Sequence, residues 1–392
     1  MYDYIIIGGG MAGISSAYHL NKKYKILLLE ATDKLGGRIL SEKYKNNFIN
    51  YGPQWIQYDN IKHLFKRVDI VKKNAINKNS FEMFDKNQQI TDKQKNLIIS
   101  IIKHFKKYSN QDKTTYDVML SIKNKYKKYQ DLDLKLLNQF LINYDCKDLK
   151  KQHISIYKFG SEYTSCSYYV KNNYSDVLNK LVTFNYKLNH PVHNIIDNNG
   201  SFDILCKLNR SSIKKFTCKH IIFAIPISIL KQNFLDFLPT YKNNILKKME
   251  LCSLECFALV FKNVWWNTKT TYWYNVQKKY LVINGSDNGK VLYIHNFTNK
   301  SIKLNTNFTN ILSNYFDPDI IEKPTKILKK NWTQDKYIQG SWVYFKNKIT
   351  QSDIKSLIKP HNNIYLAGEY LTFDKIGTVS GAFESGKRFK LL

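Results

Sequence analysis

The sequence predicts an α/β fold of two interleaved lobes, one of them built on a doubly wound sheet. Three observations predict it. An apolar run at the N-terminus leads directly into Gly8-Gly9-Gly10-Met11-Ala12-Gly13. A second apolar run, residues 24–29, ends on the acid Glu30. The 16 glycines are rationed: seven lie at or before position 52 and five at or after position 340. Glycine concentrated at both ends points to special backbone geometry there.

Residues 2–7 are long enough for one buried strand. The glycines that follow read G-x-G-x-x-G, with Gly8, Gly10 and Gly13 in the fixed places. The first permits a tight turn, the second lets the backbone approach a pyrophosphate, and the third lets helix and strand pack closely. Residues 14–22 then carry apolar side chains at helical spacing. Met11 and Ala12 lie at the helix start, where unpaired N–H groups and a partial positive charge suit phosphates. Glu30 can accept hydrogen bonds from a ribose. Strand, glycines, helix, strand and acid in this order are the Rossmann-like dinucleotide fingerprint, which serves NAD and FAD alike.

Composition bounds the remainder. The chain has 392 residues, 43% of them hydrophobic, enough for a large core and for two or three lobes. No apolar run approaches a membrane span. The N-terminus lacks the basic region of a signal peptide. The six Cys show no CxxC pair and no zinc spacing, so reduced thiols, no metal and a cytoplasmic location are expected. The formal net charge is +30, which raises nucleic acid or another polyanion as a partner. Arg supplies only four of the 61 basic residues, and Arg is the usual base reader and phosphate fork. The excess of Lys, Asn, Ile and Tyr matches an AT-rich genome, so a solvated Lys surface is the favoured reading.

Leu35-Gly36-Gly37-Arg38-Ile39 follows Glu30 closely. Here the sequence resembles the flavin-containing amine oxidase family (monoamine and polyamine oxidases and their relatives). The resemblance implies that Gly37 and Arg38 wrap the FAD pyrophosphate and ribityl chain, Arg38 as a bidentate fork. It continues at Gly52-Pro53-Gln54-Trp55-Ile56, which implies flavin contacts from Gly52 to Trp55. Leu188-Asn189-His190-Pro191-Val192 implies that the backbone of Val192 holds adenine. Residues 216–226 match a buried strand ending in Pro226. Trp332-Thr333-Gln334-Asp335 and Gly340-Ser341-Trp342 match a further stretch of the family. Most specific is the C-terminus. A strand ends in Gly368-Glu369, implied to lie against the pyrophosphate and ribityl region. Gly377-Thr378-Val379 then opens the last helix, whose amides meet the flavin pyrimidine edge and favour negative charge on the reduced ring.

Two stretches of the chain depart from the family pattern. Covalent members attach flavin through a Cys where this chain has Ser341, so FAD is expected to be noncovalent. Trp342 stands where a Tyr is usual, and its opposite wall falls on Thr378, so at most half of an aromatic cage is present. Many relatives also place a Lys ten residues before a Phe-Trp pair, holding a water beside the flavin N5 atom. With Trp265-Trp266 as that pair, the position is Cys256, or Glu255 if the register slips by one. Trp342, Thr378 and Cys256 are therefore the candidate substrate-facing residues, and no side-chain general base is assigned.

The expected architecture is a Rossmann-like FAD-binding domain (1–58, 185–240, 326–392) interleaved with a mixed α+β substrate domain (59–184, 241–325). Within the latter, residues 97–105 and 132–141 have helical periodicity, and 252–261 and 291–297 read as strands. The implied reaction is oxidation of a primary or secondary amine to an imine, hydrolysed to the carbonyl, with O2 reduced to H2O2. The positive charge disfavours steering of polycationic polyamines. Two other readings keep the cofactor: a related oxidase or desaturase of a non-amine substrate, as in protoporphyrinogen oxidases and carotenoid desaturases, and a non-catalytic FAD-stabilised scaffold.

Overall fold

The computed structural model describes residues 1–391, apart from 66–69, 75–78, 87, 146–147, 161–165, 209–211, 279 and 299. Arg67, Arg210 and Cys146 thus lie outside the described residues. The chain forms a mixed α/β fold organised on two seven-stranded sheets.

The first sheet is centred on Tyr2–Ile7, which pairs in parallel with Ile26–Leu29 on one side and with Ile213–Phe223 on the other. Residues 26–29 are wholly buried, as expected for strands covered on both faces. The long strand Ile213–Phe223 has two neighbours on its far edge. Its first half runs antiparallel to Phe202–Lys207, and its end runs parallel to Ile364–Leu366. The sheet therefore gathers strands from both ends of the chain and from its middle.

The helix after the glycine loop spans Met11–Leu20, starting three residues before the apolar periodicity does. It packs against the last helix, Val379–Lys387. A Cβ on Gly386 would stand 2.5 Å from Ala12 O and 2.6 Å from the Ser15 side chain, so only a bare backbone permits this approach. Ser15 Oγ donates to Phe383 O at 2.8 Å across the contact.

The second sheet runs in the order Lys326–Asn331, Glu255–Val260, Val291–Asn296, Tyr280–Asn284, Tyr272–Asn275, Phe81–Asp85, Gln88–Gln89. The two expected strands in residues 252–261 and 291–297 are its second and third members. Residues 326–331, placed in the FAD lobe by sequence, form the edge of this sheet by pairing with Glu255–Val260. Cross-strand register places Tyr274, Leu281, His295, Cys256 and Lys330 in one row across five strands.

Helices Asp92–Ile102, Thr115–Lys125 and Leu134–Asp145 flank the second sheet's end of the molecule. Their apolar stripes are buried, including Ile98, Ile101, Val118, Leu137 and Phe140, while Lys103, Lys106, Lys107 and Lys125 face solvent. Among the described residues no helix is long and apolar enough to cross a membrane, and no group of His, Cys, Asp and Glu could hold a metal. Cys206, Cys218, Cys252 and Cys256 are buried free thiols.

Candidate active site

A cavity of about 710 Å³ extends from the glycine loop to the inner face of the second sheet. Its first end is built from the strand–loop–helix unit. Gly13 is fixed by packing: a Cβ there would fall 1.9 Å from Gly8 O. Gly10 is different. It has φ −76°, and a Cβ would meet nothing nearer than Gly36 O at 4.0 Å. The space over Gly10 belongs to the cavity. Gly10 also gives the helix no side-chain cap, and the first turn holds no acid. The positive helix end is left for an anion.

Glu30 is buried at the rim of this loop. Its Oε2 accepts from Gly9 N at 2.6 Å, and its Oε1 accepts from Thr32 N at 2.9 Å and Thr32 Oγ1 at 2.8 Å. It holds the loop in shape as well as facing the cavity. Beside it, Arg38 Nη1 donates to Glu369 Oε1 at 2.7 Å and to Ser341 O. Val192 and the adjoining His190 and Pro191 complete this end.

The middle and far walls come from the other motifs. Trp332 is buried and donates from Nε1 to Tyr51 O at 2.9 Å. Gln54 is buried, with its Nε2 on Asn50 O at 3.4 Å, and Trp55 packs edge-on against Tyr169 at 5.1 Å. Trp342 packs over Gly377, where a Cβ would lie 3.4 Å from the Trp342 Cβ. Thr378 caps the last helix: its Oγ1 accepts from Gly381 N at 3.0 Å and donates to Lys375 O at 2.7 Å. That commits the only hydroxyl proton of Thr378 within the chain. Ser341 is likewise engaged, with Oγ donating to Cys252 O at 3.0 Å.

The residues singled out by sequence converge on this one cavity: Gly8, Gly10, Met11, Ala12, Glu30, Gly37, Arg38, Gly52, Pro53, Gln54, Trp55, Val192, Trp332, Trp342, Gly368, Glu369, Thr378 and Val379 all line it. Gly13 and Cys256 do not. Cys256 is corrected as a substrate-facing residue: it is fully buried in the sheet, and burial pushes its thiol well above the usual range, so no thiolate is available. The alternative register fails also. Glu255 is tied up by Asn296 Nδ2, Ile302 N and Lys329 Nζ at 2.8 to 3.0 Å.

Four wall residues were not recognised from sequence. Lys330, the cross-strand neighbour of Cys256, brings an ammonium to the cavity, paired with Asp335 at 2.6 Å and 4.9 Å from the Trp332 ring. His295, on the other side of Cys256, is buried with no partner for Nε2, and burial lowers its pKa to about 4. His190 Nε2 and the Tyr370 hydroxyl are also buried without partners. Lys330 had one weak signal, its place two residues before Trp332 on an alternating strand. His295 had none beyond being polar in an apolar run.

Glu369 Oε2 is unpartnered as well. Unpaired buried polar atoms, a glycine cradle open to the cavity, a cationic fork and two acid-free helix N-termini are the groups a dinucleotide would satisfy. The residues present fit such a group.

Comparison with known proteins agrees. The sequence model of the family described as flavin containing amine oxidoreductase matches residues 11–389. Polyamine oxidase 5 of rice is 24% identical over 97% of this chain and 85% of its own length. Nicotine dehydrogenase of Pseudomonas putida is 36% identical, but over only 14% of this chain and 12% of its own. A solved triple mutant of putrescine oxidase, redesigned in cofactor binding, superposes over 100% of this chain and 98% of its own with a TM-score of 0.78. Its identity is 14%, so that likeness speaks to fold.

Proposed function

The chain belongs to the flavin-containing amine oxidoreductase family, and from that premise we propose which of its residues carry FAD-dependent amine oxidation. The single observation that carries the proposal is that one cavity joins the uncapped helix end at Gly10, the Arg38–Glu369 pair and the aromatic wall at Trp342. A dinucleotide needs the first two, and an oxidisable substrate needs the third beside them.

In this reading Gly8, Gly10, Met11 and Ala12 hold the pyrophosphate, Glu30 the ribose, and Val192 the adenine. Gly37, Arg38, Gly368 and Glu369 hold the chain between the phosphates and the ring. Gly52 to Trp55, Trp332, Thr378 and Val379 surround the ring. With serine at position 341, nothing there forms a thioether, and FAD is noncovalent. The cofactor supplies the redox chemistry: a hydride equivalent leaves the carbon–nitrogen unit of a primary or secondary amine, and O2 is reduced to H2O2. The imine product hydrolyses to the carbonyl.

The chain's own part is to orient and to exclude water. Trp342 gives one apolar wall. Thr378 also lines the cavity, with its hydroxyl proton held by Lys375 O. No carboxylate among the described residues of the second-sheet face is placed to act as a base, so the amine enters neutral. The rice relative's name, a polyamine oxidase, supports an amine as the substrate class.

The experiment is anaerobic mixing of the purified yellow protein with a panel of amines while flavin absorbance is followed. Bleaching by at least one amine is expected. No bleaching by any amine overturns the reading.

A further inference from the structure

We infer that the substrate is an amine with a single nitrogen and an apolar body, received at the imidazole of His295. The inference deepens the amine-oxidation reading and rests on it.

The cavity walls are apolar where the second sheet forms them. Leu254, Leu281, Ile283 and Phe297 line that face together with Tyr272, His295 and the Lys330 ammonium, whose charge is met by Asp335. Among the described residues the cavity has four acids: Glu30, Asp33, Asp335 and Glu369. None is free to meet a second ammonium on this face. Glu30 and Asp33 belong to the glycine-loop end, and Glu30 holds Gly9 and Thr32. Glu369 is paired with Arg38, and Asp335 with Lys330. A diamine or polyamine would bury a distal ammonium with no counter-charge, which a desolvated site disfavours strongly. A monoamine with an apolar body buries only what the walls match. The net charge of +30 acts in the same direction at long range.

Of the polar groups on this face, Lys330 is engaged by Asp335, and His295 offers an uncharged acceptor. In the sheet it lies between Leu281 and Cys256, both apolar in behaviour. Its Nε2 is buried with no partner in the chain, and a buried polar atom calls for one. Burial is what depresses its basicity. A neutral imidazole accepts an N–H from a neutral amine without adding charge to an apolar wall.

The test uses the flavin-loaded protein and matched probes. Hexylamine and hexamethylenediamine differ only in the distal nitrogen; phenylethylamine and spermidine extend the comparison. Two readouts are taken: the concentration dependence of anaerobic bleaching, and the rise in melting temperature on amine addition in oxidised protein. Hexylamine is expected to exceed the diamine at least about tenfold in bleaching efficiency, as an unpaired buried ammonium requires. Equal or better bleaching by the diamine or spermidine overturns the inference while leaving amine oxidation standing. Bleaching by no probe overturns both. His295→Leu is expected to raise the half-saturating hexylamine concentration by roughly tenfold, the loss of one hydrogen bond, and to shrink the melting shift, with flavin content unchanged. An unchanged half-saturation overturns the role of His295. Should that variant not fold, His295→Gln keeps an acceptor and is expected to stay within about threefold of wild type. Gln152 also lines the cavity, its Nε2 donating to the Tyr157 hydroxyl at 3.3 Å; Gln152→Glu adds a carboxylate to the wall and is expected to move preference toward the diamine. No movement in Gln152→Glu overturns the charge argument.

Discussion

Arg38 donates to Glu369 at 2.7 Å, closing a contact between residues 331 positions apart. The same guanidinium donates to Ser341 O. One side chain thus ties the segment after the glycine loop to two C-terminal segments on the cavity wall. Arg38→Met should leave Glu369 buried without its cation and remove a fork from the phosphates. Loss of charge-assisted hydrogen bonds of this kind corresponds to a roughly tenfold to hundredfold weaker Kd for FAD. Glu369→Gln should cost less, since the amide oxygen still accepts from Arg38. Fluorescence titration of apoprotein with FAD measures both, and wild-type affinity in Arg38→Met would contradict the assignment.

Gly10 and Gly13 separate folding from binding. A Cβ at Gly13 collides with Gly8 O at 1.9 Å, whereas one at Gly10 points into open cavity. Gly13→Ala should therefore lower the melting temperature sharply, with or without flavin. Gly10→Val should fold as apoprotein and fail to take up FAD. A yellow Gly10→Val protein would show that the cradle is misplaced.

Where the sequence was legible, it was because local backbone geometry and burial coincide. Tyr2–Ile7 is apolar, short and followed by glycines, so strand and turn were readable at once. The helices at 92–102 and 134–145 were readable from their buried stripes. Cys256 was misread for a physical reason. Its spacing from Trp265 placed it on the right strand, but spacing carries no information about which cross-strand neighbours flank it. Only pairing brings His295 and Lys330, 39 and 74 residues away, to its two sides. The pairing of residues 326–331 with Glu255–Val260 was not legible for the same reason: an edge strand joins whichever sheet offers it a free edge, and sequence order does not name that sheet.

Ser341 predicts how the flavin leaves. Its hydroxyl is hydrogen-bonded to Cys252 O, and the nearby Cys252 is itself buried, between the strands Met249–Leu251 and Glu255–Val260. Acid precipitation of the yellow protein should put all flavin in the supernatant. Flavin retained in the pellet would require a covalent link elsewhere.

The row through Cys256 separates the two halves of the reaction. Cys256→Ala removes a buried, protonated thiol and should leave anaerobic bleaching within about threefold of wild type, with a loss of stability of about 1 kcal/mol from the vacated volume. The Lys330 ammonium lies on the cavity wall, paired with Asp335, and a cation so placed is expected to favour charge developing on O2. Lys330→Met should slow aerobic recovery of flavin colour while leaving anaerobic bleaching nearly unchanged. Equal slowing of both phases would place Lys330 in substrate binding instead.

Acid should destabilise the protein before its carboxylates titrate. Burial lowers the pKa of His295 to about 4, and burial is also the first cause lowering His19, His104, His153 and His220. In the unfolded chain these groups bind protons near pH 6.5, while the folded state resists until lower pH. Between those limits the unfolded state holds more protons, so stability falls as pH falls. For His295 alone the full span is worth on the order of 3 kcal/mol. Denaturant midpoints between pH 7 and pH 5 isolate this effect, because the lowered carboxylates, such as Asp3 and Asp203, remain ionised there. The wild type should lose stability across that interval. His295→Gln, which has no proton to gain, should lose less. Parallel lines for the two proteins would mean that His295 takes up its proton in the folded state as readily as in the unfolded chain, and that its imidazole is not the neutral acceptor the apolar wall requires.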